Sequence, residues 1–262
     1  LRQGFRPKTA RPLPPIWQAL TRRKIDQSDA TGVGSLVMDL RSAVLVLSSA
    51  LLALSSFFYG CKFVRKRNYL LGLEMWIVGI SSTNAIGFFV TGNAVSYEIS
   101  HFFDAFSRGF GMPIIAVAGL MAITHGYTPS VRQDVSVFVA SFALTFVLVG
   151  ADFIARILPY YYLTMWILLS IYLLYFIKRL LEIGEMLRAL FAGVALVTSL
   201  GIATIYDFYK IPGEETNVFF NFYTLALCSW AYFMPAIYYG YCALERAKNG
   251  RVVLNSPTAY GN

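Results

Sequence analysis

The chain has 262 residues, of which 57% are hydrophobic and only 14% charged, and its mean hydropathy is +0.57. About a quarter of an ordinary soluble domain is charged, so water is excluded as the solvent of most of this chain, and the lipid bilayer takes its place. The net charge of +8 raises nucleic acid as a partner, but the bases form short tracts beside apolar stretches, where anionic lipid and topology selection account for them. Nucleic-acid binding is therefore set aside.

Residues 1–40 read as a polar N-terminal arm, basic and proline-rich at first (RPKTARPLPP) and then a short helical stretch from Ile16 to about Ile25 whose apolar face is thin. The first residue is Leu1, and the basic end, apolar core and small-residue site of a signal peptide are not visible. Residues 41–245 hold seven apolar segments, each near the ~20 residues a spanning helix needs. Span 1 covers about 42–61 and ends at the basic run KFVRKR; span 2 covers about 69–90, holds Glu74 and Asn84, and ends at TGN. Span 3, 101–125, carries Asp104 and Arg108 four residues apart on one helical face and is expected to kink at Pro113. Span 4, about 135–155, ends with Asp152, Arg156 and Pro159. Span 5 opens on Tyr160, Tyr161 and Tyr162, a start suited to the headgroup boundary, and leaves near Lys178 and Arg179. Span 6, about 189–208, repeats small residues at Ala195, Ser199 and Ala203, which invites close approach of another helix. Span 7, about 218–241, is expected to kink at Pro235, and a short polar tail occupies 246–262. The expected fold is thus an all-α bundle of seven transmembrane helices with a polar arm.

The bases set the expected sidedness. The joints after spans 1, 3 and 5 and the tail carry eleven Lys and Arg, whereas the opposite joints carry only Arg156 and Lys210. The rich side is expected to be cytoplasmic, with the N-terminus outside and the C-terminus inside.

An arginine inside hydrocarbon needs a partner. Spans 3 and 4 are consecutive and so antiparallel, and at about 1.5 Å per residue Arg108 and Asp152 both fall about 9 to 11 Å from the bilayer midplane. Asp104 and Arg156 fall about 15 to 17 Å out on the same side. The economical arrangement is a ladder pairing Arg108 with Asp152 and Asp104 with Arg156. Asn84, Tyr206, Asp207 and Asn221 reach the same half and would line one polar cavity with it. This set is either a clamp between helices or the path of a small polar or zwitterionic solute or an ion. Glu74, on the inner side, is expected to reach Lys62 or the RKR run by snorkelling, or to relay protons.

Much chemistry is excluded. His101 and His125 stand 24 residues apart on one helix, which rules out a shared haem iron. Zinc and di-iron sites lack ligands, Cys61, Cys228 and Cys242 have no metal-ligand spacing, and HExxH, GxSxG, P-loop and GxGxxG strings are absent. Span 7 has no lysine for a retinal Schiff base, and no cofactor is implied. Two function classes stay open: a small-solute or ion transporter or channel, and a non-catalytic subunit of a larger membrane assembly. The second would bind other membrane subunits or a further copy through the arm and the small-residue face of span 6. No residue stands out as catalytic.

Overall fold

In the computed structural model, residues 40–213 and 217–254 are described, apart from the side chains of Asp152 and 251–254. The polar arm and the last eight residues of the tail lie outside them. Every regular element among the described residues is helical. The long helices are α1 (Leu40–Arg65), α2 (Tyr69–Thr91), α3 (Ala94–Thr124), α4 (Val131–Gly150), α5 (Leu158–Glu182), α6 (Met186–Phe208) and α7 (Phe222–Leu254).

The boundaries follow from local chemistry. The TGN string closes α2 and opens α3: Gly92, at φ +71, takes the left-handed conformation that ends the first helix, and the Asn93 side chain accepts the Val95 N–H at 2.9 Å to cap the second. That cap starts α3 seven residues before the expected His101. Ser130 and Gln133 form a capping box that starts α4 at Val131, so its twenty residues are used up at Gly150. Asp152 consequently sits in a 3-10 turn, not in a span as expected, and Arg156 lies in the exposed link beyond it. Pro159 stands in the first turn of α5, where its missing N–H costs nothing. The helix α7 runs through residues 246–254, where a tail was expected.

Six of these helices, α1 to α6, are long and apolar enough to cross a membrane, and the chain is an integral, multi-pass membrane protein. The expected seventh, α7, is not among the six: Tyr223, Trp230, Tyr232, Pro235, Tyr238 and Tyr239 dilute its apolar run. It is nevertheless built into the bundle. Contacts between facing residues give an up-and-down arrangement in which α1 packs on α2, α2 on α3, α3 on α5, α5 on α6, α6 on α7, and α7 back on α1. The helix α3 also touches α7, and 67% of the residues in its most apolar eighteen-residue stretch are buried, whereas α4 packs chiefly on the outside of α3 and has 17% of the corresponding stretch buried. The main core gathers Phe63, Leu71, Met75, Leu169, Phe176 and Met234. Ala195, Ser199 and Ala203 are buried within it, so α6 turns Leu190, Val194 and Val197 outward instead. Alternation of direction collects Lys62, Arg65, Lys66, Lys178, Arg188 and Arg246 at one end of the bundle, where Lys66 pairs with Glu245 and Arg188 with Glu185.

Two prolines interrupt long helices, and in both cases a hydroxyl of another helix donates to a backbone carbonyl nearby. Pro235 has no N–H for the Ala231 carbonyl four residues back, and Ser55 of α1 donates to that carbonyl at 2.9 Å. Pro113 likewise lacks an N–H; in π-helical winding the donor it omits is the one five residues on from Arg108, and Tyr161 of α5 donates to the adjacent Gly109 carbonyl at 3.1 Å. Around Pro113 the helix is not merely kinked: Ser107–Ala116 is wound as a ten-residue π-helix, a rare form that often marks functional positions.

Candidate functional site

The π-helical segment carries Arg108 into the bundle. Its side chain is 7% exposed, and its guanidinium is surrounded on edges and faces. Nη2 donates to the Asp207 carboxylate at 2.5 Å, and Nη1 lies 3.7 Å from Asp104 one turn back on α3. The Tyr206 and Tyr162 rings lie against it, their centroids 3.6 and 4.1 Å from Cζ. The Tyr206 hydroxyl donates to Asp104 at 3.2 Å, closing the network. Three helices thus meet here: α3 supplies Asp104 and Arg108, α6 supplies Tyr206 and Asp207 from its last turn, and α5 supplies Tyr162 from its first.

The structure brings together Asp104, Arg108, Tyr206 and Asp207 from the expected set. The carboxylate on Arg108 across the helix gap is Asp207 of α6, where the sequence pointed to Asp152; the Asp152 side chain lies outside the description. Asp104 faces Arg108 and Tyr206 in place of the expected Arg156, which is exposed. Asn84 donates to the Ile80 carbonyl on its own helix at 2.9 Å. Asn221, 1% exposed, is occupied in capping α7: it accepts the Thr224 N–H and donates to the Thr224 hydroxyl and the Val218 carbonyl. Neither asparagine joins the cluster.

Tyr162 was missed, and a signal for it existed. Three consecutive tyrosines cannot all point the same way on a helix with about 100° between residues. Tyr160 packs on Phe208, Tyr161 serves the Gly109 carbonyl, and Tyr162 turns onto Arg108.

Glu74 does not snorkel to the basic run. Lys62 lies over the Phe58, Tyr59 and Tyr238 rings, Lys66 is paired with Glu245, and Glu74 points into the bundle against Gly111, where a Cβ would overlap its carboxyl.

Chemically, the Arg108 cluster sets two carboxylates against one guanidinium. The arginine is enclosed, with two rings against it and both terminal nitrogens engaged, while Asp104 and Asp207 are 22% and 25% exposed. The accessible side of the cluster is its acidic side. Among the described residues, no group of His, Cys, Asp and Glu is arranged to hold a metal ion. Comparison of the chain with protein-family models, with curated proteins and with solved structures gives no match.

Proposed function

We propose that this protein is a carrier or channel for a small cationic or zwitterionic solute or an ion, crossing the membrane seven times with the arginine-poor end and the N-terminus outside. The observation that carries the reading is the charge balance of the α3–α6 cluster: two partly exposed carboxylates on one enclosed guanidinium leave one carboxylate in excess on the accessible side. An anion would find the arginine covered on every side. An ammonium or metal cation would find two carboxylates and the Tyr206 hydroxyl. Arg108 then serves to hold the two acids at fixed positions, and Asp104 and Asp207 make the contact.

Purified protein in phospholipid vesicles, adsorbed on a solid support, tests this by transient currents on rapid addition of Na⁺, K⁺ or ethylammonium, and by uptake of radiolabelled glycine, a zwitterion whose movement carries no net charge. One of these is expected to give a current or uptake that falls at least tenfold in Asp207→Asn while the size-exclusion profile is unchanged. Absence of both, with Asp207→Asn altering only thermal stability, would reduce the cluster to a clamp.

One observation favours the alternative, a non-catalytic subunit of a membrane assembly. The helix α4 packs chiefly on α3 and exposes Val135, Val139, Leu144 and Phe146 along its length, a surface that lipid or another membrane chain would cover. Co-purification of further polypeptides in defined ratio with the full chain would support that reading over the first.

A further inference from the structure

Glu74 is, with Arg108, one of two charged side chains that are buried among the described residues, and it is the more enclosed, at 0% exposure. Neither carboxyl oxygen has a hydrogen-bond donor, and the nearby Ser107 hydroxyl has no partner either. It lies on the α2 side of the π-helical segment, against Gly111, whereas Arg108 turns toward α5 and α6. Beside it, where α2, α3, α5 and α7 converge, is a void with room for about one water, lined by Leu71, Met75, Met112, Leu169, Phe233 and Ile237.

The surroundings decide what this carboxyl can bind. From α1, α3, α5 and α7 no acid, base or tyrosine hydroxyl hydrogen-bonds to it. The titratable groups on those helices are engaged elsewhere: Lys62 over three aromatic rings, Arg108 with Asp104 and Asp207, Tyr172 with Thr124, and Tyr241 with Asn68. A metal cation takes about six oxygen ligands, and the void offers the two of one carboxylate. A lone carboxylate among aliphatic and aromatic side chains is costly, whereas the neutral acid carries only the penalty of an unpaired polar group. The ligand that fits is a proton.

We infer that Glu74 is a proton-binding site within the membrane region, held as the uncharged acid while α3 seals it at Gly111. It loses that proton only when α2 and α3 part far enough for water to enter the void. The segment facing it is the one suited to such a movement, because π-helical winding and Pro113 have already weakened the backbone ladder of α3 there. The site is independent of the cation reading of the Arg108 cluster.

Infrared spectroscopy of the full chain in phospholipid nanodiscs tests the inference. At neutral pH the wild-type protein is expected to show the carbonyl stretch of a protonated carboxylic acid, absent from Glu74→Gln and unchanged in Asp207→Asn. Should Glu74→Gln fail to fold, protein labelled with carboxyl-¹³C glutamate separates the band from the aspartates, since it must move to lower frequency, and Glu74→Asp in the same labelled protein must return it to the unlabelled position. No such band, a band that ignores the label, or a band that persists in folded Glu74→Gln would overturn the assignment. Loss of the band in Asp207→Asn would show instead that it belongs to the Arg108 cluster.

Discussion

Arg108 and Gly111 lie three residues apart on the same π-helical segment, less than a full turn, and the two sides of that segment treat charge in opposite ways. On the α6 side a buried guanidinium is matched by two carboxylates and two aromatic faces. On the α2 side a buried carboxyl meets no opposite charge, only a glycine, the Ser107 hydroxyl and a void. The contrast teaches that burial alone does not make a structural ion pair. Where partners are supplied from other helices, the charge ties them together; where none is supplied, the group's ionisation is left to the opening and closing of the pocket.

The largest expected effect comes from breaking the matched side. Arg108→Ala leaves Asp207 and Asp104 facing each other without a cation and is expected to cost about 3–5 kcal/mol, the scale of a broken buried pair. Adding Asp207→Asn to that variant removes one orphaned charge and should recover part of the loss in a thermal melt followed by tryptophan fluorescence. Equal stability of the single and double variants would mean that the two carboxylates do not depend on the arginine.

On the unmatched side, Gly111→Ala should cost about 1–3 kcal/mol, because its methyl group would occupy the place of the Glu74 carboxyl. Here the cure is truncation: Gly111→Ala with Glu74→Ala is expected to be more stable than Gly111→Ala alone, and a simple sum of two losses would refute the contact.

A smaller effect belongs to the proline repairs. Ser55→Ala strands the Ala231 carbonyl and should cost about 1 kcal/mol. In a Pro235→Ala background the restored N–H takes that carbonyl, so the same substitution should then cost close to nothing; an unchanged cost would refute the repair. The smallest effect lies at the basic end, where Glu245 holds the partly exposed Lys66 ammonium above its ordinary value. The stabilisation it gives is present below the usual lysine range and is lost as pH rises beyond it. Glu245→Gln should change stability by under about 1 kcal/mol at neutral pH, and by less still in high salt.

How much of this could be read in advance depends on whether the quantity runs along the chain or across it. Level along a helix is carried by residue spacing, so Asp104, Arg108, Tyr206 and Asp207 could be expected in the same half of the membrane, and their side chains do meet. Neighbourhood is not carried by spacing: consecutive order favoured α4 as the partner of α3, but α3 is central and α6 reaches it from the other side of the bundle. The Asp152 estimate failed for a local reason as well, since the Ser130 capping box moved α4 four residues toward its N-terminus and pushed Asp152 past the helix end. Glu74 was expected to reach the basic run because a glutamate near a helix end can snorkel. Only the close approach of α3 at Gly111, a residue with no side chain to signal it, shows why it points inward. Membrane character was legible from composition, but the count was not: seven spans were expected and six helices are long and apolar enough, while α7 is tied into the bundle by its tyrosines against α1 and α6 and by Trp230 against Trp166 of α5.

The hydroxyls of Ser55 and Tyr161 act on more than the carbonyls they satisfy. Each joins a fixed point on one helix to a fixed point on another, so α1 cannot slide along α7, nor α5 along α3, without exposing an unbonded carbonyl to an apolar interior. Rotation or tilting about those points keeps the bonds, whereas a piston stroke breaks them, and any working motion of this bundle should therefore be a rocking one.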